Sequence, residues 1–113
     1  LVAECLFCKI VEGSVPARVV AETERLLAFD DISPVAPTHV LIIPKEHAAD
    51  SAAEITAEHA SLLAEIFELA ARIADERGLD DGWRVVTNVG PAAGQTIFHL
   101  HFHLMGGWAR SHR

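Results

Sequence analysis

The run His99-Leu100-His101-Phe102-His103-Leu104-Met105 constrains this chain more than any other part of it. Imidazole and apolar side chains alternate with period two, the pattern of a β-strand with one buried face. Leu100, Phe102 and Leu104 anchor one face in a core, and the histidines share the other. A lone histidine there would read as a satisfied polar residue; three in strict alternation read as a site. Extended geometry puts neighbouring Cα atoms of the row about 6.7 Å apart and the outer two about 13 Å apart. Adjacent imidazoles can converge on one zinc, which holds nitrogen at about 2.0–2.1 Å, but three in a straight row can hardly do so. The histidines should therefore divide their duties. With a pKa near 6.5, imidazole is a nucleophile when neutral and a proton donor when charged.

The rest of the chain supplies the frame for that strand. Arg18 to Glu22 and Leu26 to Asp30 are short β-capable runs joined by Thr23-Glu24-Arg25, a hairpin. Two prolines make Asp30 to Pro37 a loop, and His39-Val-Leu-Ile-Ile43 before Pro44 reads as a central strand. Trp83 to Asn88 and Phe98 to Met105 are the remaining strands. A short helical turn over Phe7 to Glu12 ends at Gly13 and Pro16. From about Thr56 to Arg77, Leu62, Ile66, Leu69 and Ile73 form one stripe at helical spacing, widened by Leu63 and Ala70. Glu68 and Arg72, four apart, are placed to pair, Gly78 stops the helix, and Ser51 or Thr56 caps its start. Strands, one long helix, then strands predict an α+β fold: an antiparallel sheet with helix on one face.

All 113 residues are expected to form one domain, 1–113, and the apolar half of the composition makes it globular. A net charge of −7 repels a nucleic-acid polymer, whereas a few local donors suffice for one nucleotide. No run reaches the roughly 20 apolar residues of a membrane span, and no signal-peptide pattern opens the sequence, so a cytoplasmic location is expected. In that setting Cys5 and Cys8, a C-x-x-C pair, fit a metal or redox role better than a structural disulfide, and a zinc site would need two further ligands. The loop Gly90-Pro-Ala-Ala-Gly94-Gln95-Thr96 lies just before the histidines, with Gly94 and the neutral donors Asn88, Gln95 and Thr96 suited to an anion. There is no Walker A sequence and no G-x-G-x-x-G.

His-x-His-x-His followed by two apolar residues resembles the signature of the histidine triad superfamily of nucleotide hydrolases and transferases. The resemblance runs through Phe7 to Ile10, Leu27 to Pro34, Ala36 to His39, Ile43-Pro-Lys-Glu-His47, Asn88, and Gly94-Gln95-Thr96 to Gly106-Gly107. The ending His103-Leu-Met-Gly-Gly is similar to that of the nucleoside phosphoramidase branch; the diadenosine polyphosphate hydrolase branch usually departs from Gly-Gly, and the uridylyltransferase branch replaces the third histidine. The resemblance implies a five-stranded antiparallel sheet, a long and a short N-terminal helix, and a homodimer with the sheet continued across it. It implies that His101 attacks the α-phosphorus of a purine nucleoside phosphoramidate to form a covalent nucleotidyl-histidine, with His103 on the phosphate or leaving group and His39 behind it.

Asn88, Gly94, Gln95 and Thr96 would then surround the phosphate, Thr96 in a catalytic role. Asp31 would hold the ribose hydroxyls, and Phe7, Ile10, Phe29 and Ile32 would line the base pocket. The bacterial pattern further implies structural zinc on Cys5, Cys8, His47 and His99, with no organic cofactor; an empty or redox-active C-x-x-C is the alternative. His59 and His112 match nothing in the motif and read as surface residues. Asp30, a second carboxylate beside Asp31, is a departure with an open consequence for the sugar or leaving group. The rival functions are dinucleoside polyphosphate hydrolysis, a non-catalytic purine nucleotide-binding or scaffold protein, and a metalloenzyme using the triad as ligands.

Overall fold

The computed structural model describes residues 5–109; His112 lies outside them. The elements in chain order are α1 (Leu6–Glu12), β1 (Val19–Glu22), β2 (Leu26–Asp30), β3 (Thr38–Pro44), α2 (Ala60–Glu76), β4 (Trp83–Val86) and β5 (Phe102–Gly106). Among the described residues the strands form one five-stranded antiparallel sheet in the order β1-β2-β3-β5-β4. Every residue of β3 is buried, as a β-branched central strand requires.

Period two and period 3.6 together separate two cores. Leu62, Ile66, Leu69, Ala70 and Ile73 of α2 pack on Leu26, Ala28, Val40, Ile42, Leu100, Phe102 and Leu104. Residues one step out of phase, Leu27, Phe29, Leu41 and Ile43, face the other way and pack with Phe7 of α1, with Ile10 and Val11 at the margin. Asp30 and Asp31 diverge in the same manner. Asp30 meets Arg77 beyond the end of α2 at 3.2 Å, so its carboxylate is engaged beside the helix. Asp31 caps its own turn, accepting from the Ser33 amide at 2.8 Å.

Element ends differ from the sequence reading where side chains or tertiary contacts intervene. Thr56 caps a 3-10 turn, Ala57–His59, and the α-helix proper begins at Ala60. His59 is part of that cap: its Nδ1 accepts from the Thr56 amide at 2.9 Å, so it is half-buried and structural. Arg72 reaches Glu76 at 4.0 Å and not Glu68. The last strand starts at Phe102 instead of Phe98, because the Leu100 amide leaves the sheet to donate to the Ala49 carbonyl at 2.9 Å. β4 stops at Val86, short of Asn88. The Gly-Gly at the end of β5 has a steric cause: a Cβ on Gly106 would lie 2.9 Å from Leu79, and one on Gly107 3.0 Å from Pro37 at a φ of +90°.

Candidate functional site

Among the described residues, two groups of metal-ligating side chains have donor atoms within 4.8 Å of one another: Cys5, Cys8, His47 and His99, and Asp31, His39 and His103. Their hydrogen bonds assign the ring protons differently, and that decides what each group can do.

In the first group, α1 opens on Cys5, whose sulfur accepts from the Cys8 amide at 3.3 Å and brings both thiols to one side. The Nδ1 of His99 lies 3.3 Å from the Cys5 sulfur and 3.6 Å from that of Cys8. The Nδ1 of His47 lies 3.6 Å from Cys8. Each ring's other nitrogen faces an acceptor: His99 Nε2 the Pro44 carbonyl at 2.8 Å, His47 Nε2 the Asp50 carboxylate at 2.7 Å. A carbonyl or carboxylate can only accept, so Nε2 carries the proton in both rings and Nδ1 turns a bare lone pair to the sulfurs.

Burial alone would raise the Cys5 thiol, but hydrogen bonds from the thiol and amide of Cys8, with His47 adding to them when protonated, outweigh it and hold Cys5 below its ordinary value. Burial and the neighbouring Cys5 sulfur push Cys8 up to about 11. Both sulfurs ionise together when a cation joins them, and two thiolates with two imidazoles are a tetrahedral zinc set. The residues fit a structural metal, since four protein donors leave no position for water.

The second group is a hydrogen-bonded chain of two imidazoles beside a carboxylate. Val35 donates its amide to His39 Nδ1 at 3.1 Å, so the His39 proton sits on Nε2. That proton points at His103 Nδ1, 2.9 Å away, with Asp31 Oδ2 flanking at 3.4 Å. His103 therefore carries its own proton on Nε2. A cation bridging His39 Nε2 and His103 Nδ1 would force the proton of His39 onto Nδ1, where the Val35 amide already points. The group suits proton transfer better than metal binding. Burial, with the rings of His101 and His39 nearby, pushes His103 down to about 4.

His101 lies between the two groups and is 7% exposed. Its Nδ1 donates to the His99 carbonyl at 2.7 Å, which leaves the lone pair on Nε2. Burial lowers its pKa, with the His99 carbonyl and Asp31 opposing in part. The ring is thus neutral near pH 7, as a nucleophile must be. Phe7 stacks edge-on at 5.0 Å and His103 at 5.2 Å. Thr87 donates its hydroxyl to the His101 carbonyl at 2.7 Å.

The remaining expected residues are less uniform. Phe7 and Phe29 are buried edge-to-face at 5.7 Å, and Ile10 packs at their margin. Ile32 is 98% exposed, on a groove of about 340 Å³ lined also by Arg18, Asp30, Asp31 and Pro34. Gly94 adopts the left-handed φ of 95°. Asn88 donates to the Ala93 carbonyl at 2.9 Å, and Thr96 is exposed. Gln95 is buried and uses its amide internally: it accepts from the Gly90 amide at 2.9 Å and donates to the Asp50 and Ile97 carbonyls at 2.7 and 3.0 Å. Sequence reasoning did not reach Val35, Pro44, Asp50 or Thr87. Of these, Asp50 alone had a local signal, three residues after His47; Val35 and Pro44 act through backbone atoms, which no side-chain pattern reveals.

The HIT domain, as a sequence family, matches residues 12–109. The chain is 39% identical over 105 residues to the purine nucleoside phosphoramidase of Escherichia coli (strain K12), covering 92% of this chain and 87% of that protein. It is 44% identical over 103 residues to a 14 kDa zinc-binding protein of Zea mays, covering 90% and 80% of the two. The structure of a HIT family hydrolase from Clostridium thermocellum superposes with a TM-score of 0.91 at 44% identity, over 100% of this chain and 98% of that one. With the histidine row, the fold and these relatives in agreement, the chain belongs to the HIT-domain family.

Proposed function

We propose that this protein hydrolyses purine nucleoside phosphoramidates by nucleophilic catalysis at His101. The observation that carries the reading is the proton assignment of the triad. The His99 carbonyl holds the His101 proton on Nδ1, at 2.7 Å, and so leaves Nε2 to attack phosphorus. The E. coli relative named purine nucleoside phosphoramidase supports the substrate class.

In the first step the Nε2 lone pair forms a P–N bond to the α-phosphorus while the bond to the departing nitrogen breaks. The amine leaves with a proton taken from the His39–His103 relay, whose charging an adjacent anionic phosphate favours. In the second step water attacks the nucleotidyl-histidine, the monophosphate departs, and one proton returns to the relay. On this reading Asp31, beside the relay, would take the ribose hydroxyls, Phe7, Ile10, Phe29 and Ile32 would surround the base, and Gly94, Thr96 and Asn88 would meet the phosphate. Gln95 holds the loop together from within.

Zinc on Cys5, Cys8, His47 and His99 would act as a structural cross-link between α1 and the sheet. The Zea mays relative named a zinc-binding protein supports that identity for the metal. A single HIT domain over 1–113 and a homodimer belong to the same reading. Phe67, Trp83 and Trp108, each 40% exposed or more, offer apolar surface for a second copy. No helix among the described residues is long and apolar enough to cross a membrane, in keeping with a cytoplasmic enzyme.

The test is intact-mass spectrometry after brief mixing with an adenosine phosphoramidate, beside His101→Ala. Transient gain of one nucleotidyl group by the wild type alone is the expected result. Product formation by His101→Ala at the wild-type rate would overturn the assignment, and tight AMP binding without adduct or product would point to a binding protein.

A further inference from the structure

His101 lies past the last paired residues of both ladders that flank it. The β3–β5 pairing ends at Ile42↔Phe102, and the β4–β5 pairing ends at Val86↔His103. A ring that must meet phosphorus to within about 0.5 Å therefore sits where sheet pairing has stopped. Side chains and loops take over there. The Leu100 amide is held by the Ala49 carbonyl at 2.9 Å, and the His101 ring by the His99 carbonyl at 2.7 Å. The carbonyl of His101 itself receives the hydroxyl of Thr87 at 2.7 Å. Thr87 follows β4 directly, so its Cα is carried by the sheet and its hydroxyl extends that rigidity by one residue.

We propose that Thr87 is a positioning residue for the nucleophile: its hydroxyl fixes the His101 backbone, and through it the direction of the His101 Nε2 lone pair. This rests on the reading of His101 as nucleophile. Thr87 needs no contact with substrate to act. Valine is the informative replacement, because it keeps the β-branched shape and removes only the hydroxyl. Serine keeps the hydroxyl and removes the methyl group.

The experiment measures kcat and KM for an adenosine phosphoramidate, melting temperature, and the long-range 1H–15N spectrum of the His101 ring in wild type, Thr87→Val and Thr87→Ser. A displaced nucleophile predicts that Thr87→Val loses roughly 10- to 100-fold in kcat with KM little changed. Its His101 ring signals should move from the pure Nδ1–H pattern, and Thr87→Ser should restore both. Should Thr87→Val fail to fold, Thr87→Ala against Thr87→Ser poses the same comparison. Unchanged ring signals in the hydroxyl-less variant overturn the proposal, as does a raised KM with unchanged kcat. A wild type inactive on the phosphoramidate, or an active His101→Ala, would sink the nucleophile reading instead; the ring spectrum would still decide whether Thr87 orients His101.

Discussion

The His47–His99 pair, with ring centres 4.7 Å apart, and the His39–His103 pair, at 5.1 Å, are the same side chains at nearly the same spacing. Their chemistry diverges because of what the outer nitrogen of each ring meets. Acceptors behind His47 and His99, the Asp50 carboxylate and the Pro44 carbonyl, pull the protons away and leave lone pairs facing two sulfurs. A backbone donor behind His39, the Val35 amide, does the reverse and drives the proton inward, toward His103. One pair is disposed as a ligand set and the other for passing a proton. Proximity of histidines thus says little about their use until the partner of the far nitrogen is known.

The comparison can be broken at its sharpest point by His101→Asn, the residue between the two groups. Turnover should fall by at least about 10³-fold while AMP affinity, measured by calorimetry, stays near that of the wild type. Comparable turnover in that variant would remove the distinction between a catalytic and a structural half.

On the ligand side, Cys8→Ser should abolish stoichiometric zinc and cost several kcal/mol of folding free energy, a fall in melting temperature of more than about 10 °C. Chelation should reproduce that loss and added zinc reverse it; an unchanged melting curve would deny the thiol group its cross-linking role. On the relay side, His103→Ala should lose about 10²-fold in kcat on an amine leaving group and less on a nitrophenolate, which departs without a proton. Equal losses on both would leave His103 a phosphate ligand only.

The pH dependence is smaller and has a defined sign. His103 is held down to about 4 from the ordinary 6.5. Between those values the unfolded chain binds a proton that the folded chain refuses, so its contribution to stability is full above pH 6.5 and lost as pH falls toward 4. Urea titrations at pH 7 and pH 5 should show a shallower acid loss in His103→Gln than in the wild type. Smallest of all is Asp30→Ala. The Asp30–Arg77 pair, about a third exposed on each side, is worth under about 1 kcal/mol. Because Asp30 is engaged by Arg77, kcat/KM should not change.

Much of this molecule was legible in its sequence because period is a local property. The alternation through Leu100, Phe102 and Leu104 identified the buried face of the last strand, and the stripe Leu62, Ile66, Leu69, Ile73 identified the face of α2 it packs on. The ends of elements were less legible. β5 begins at Phe102 because the Leu100 amide prefers a carbonyl at Ala49, a contact that spans half the chain. In sequence only the family resemblance told Asp31 from Asp30; in the structure Arg77, which lies 47 residues from Asp30, takes the Asp30 carboxylate.

By itself the sequence determined that the three histidines would alternate with the core residues Leu100, Phe102 and Leu104, that they could hardly all hold one metal, and that a C-x-x-C pair awaited two more ligands. These follow from covalent geometry, which fixes spacing along a strand whatever the strand packs against. Only His103 of the three lies within β5 itself. Tertiary structure decided which nitrogen of each ring carries the proton, and with it which histidine is disposed to act as ligand, nucleophile or relay. Those partners are the carbonyls of His99 and Pro44, the amide of Val35 and the carboxylate of Asp50. Three of the four are backbone atoms, identical in every residue and therefore silent in a sequence; folding alone gives them a direction.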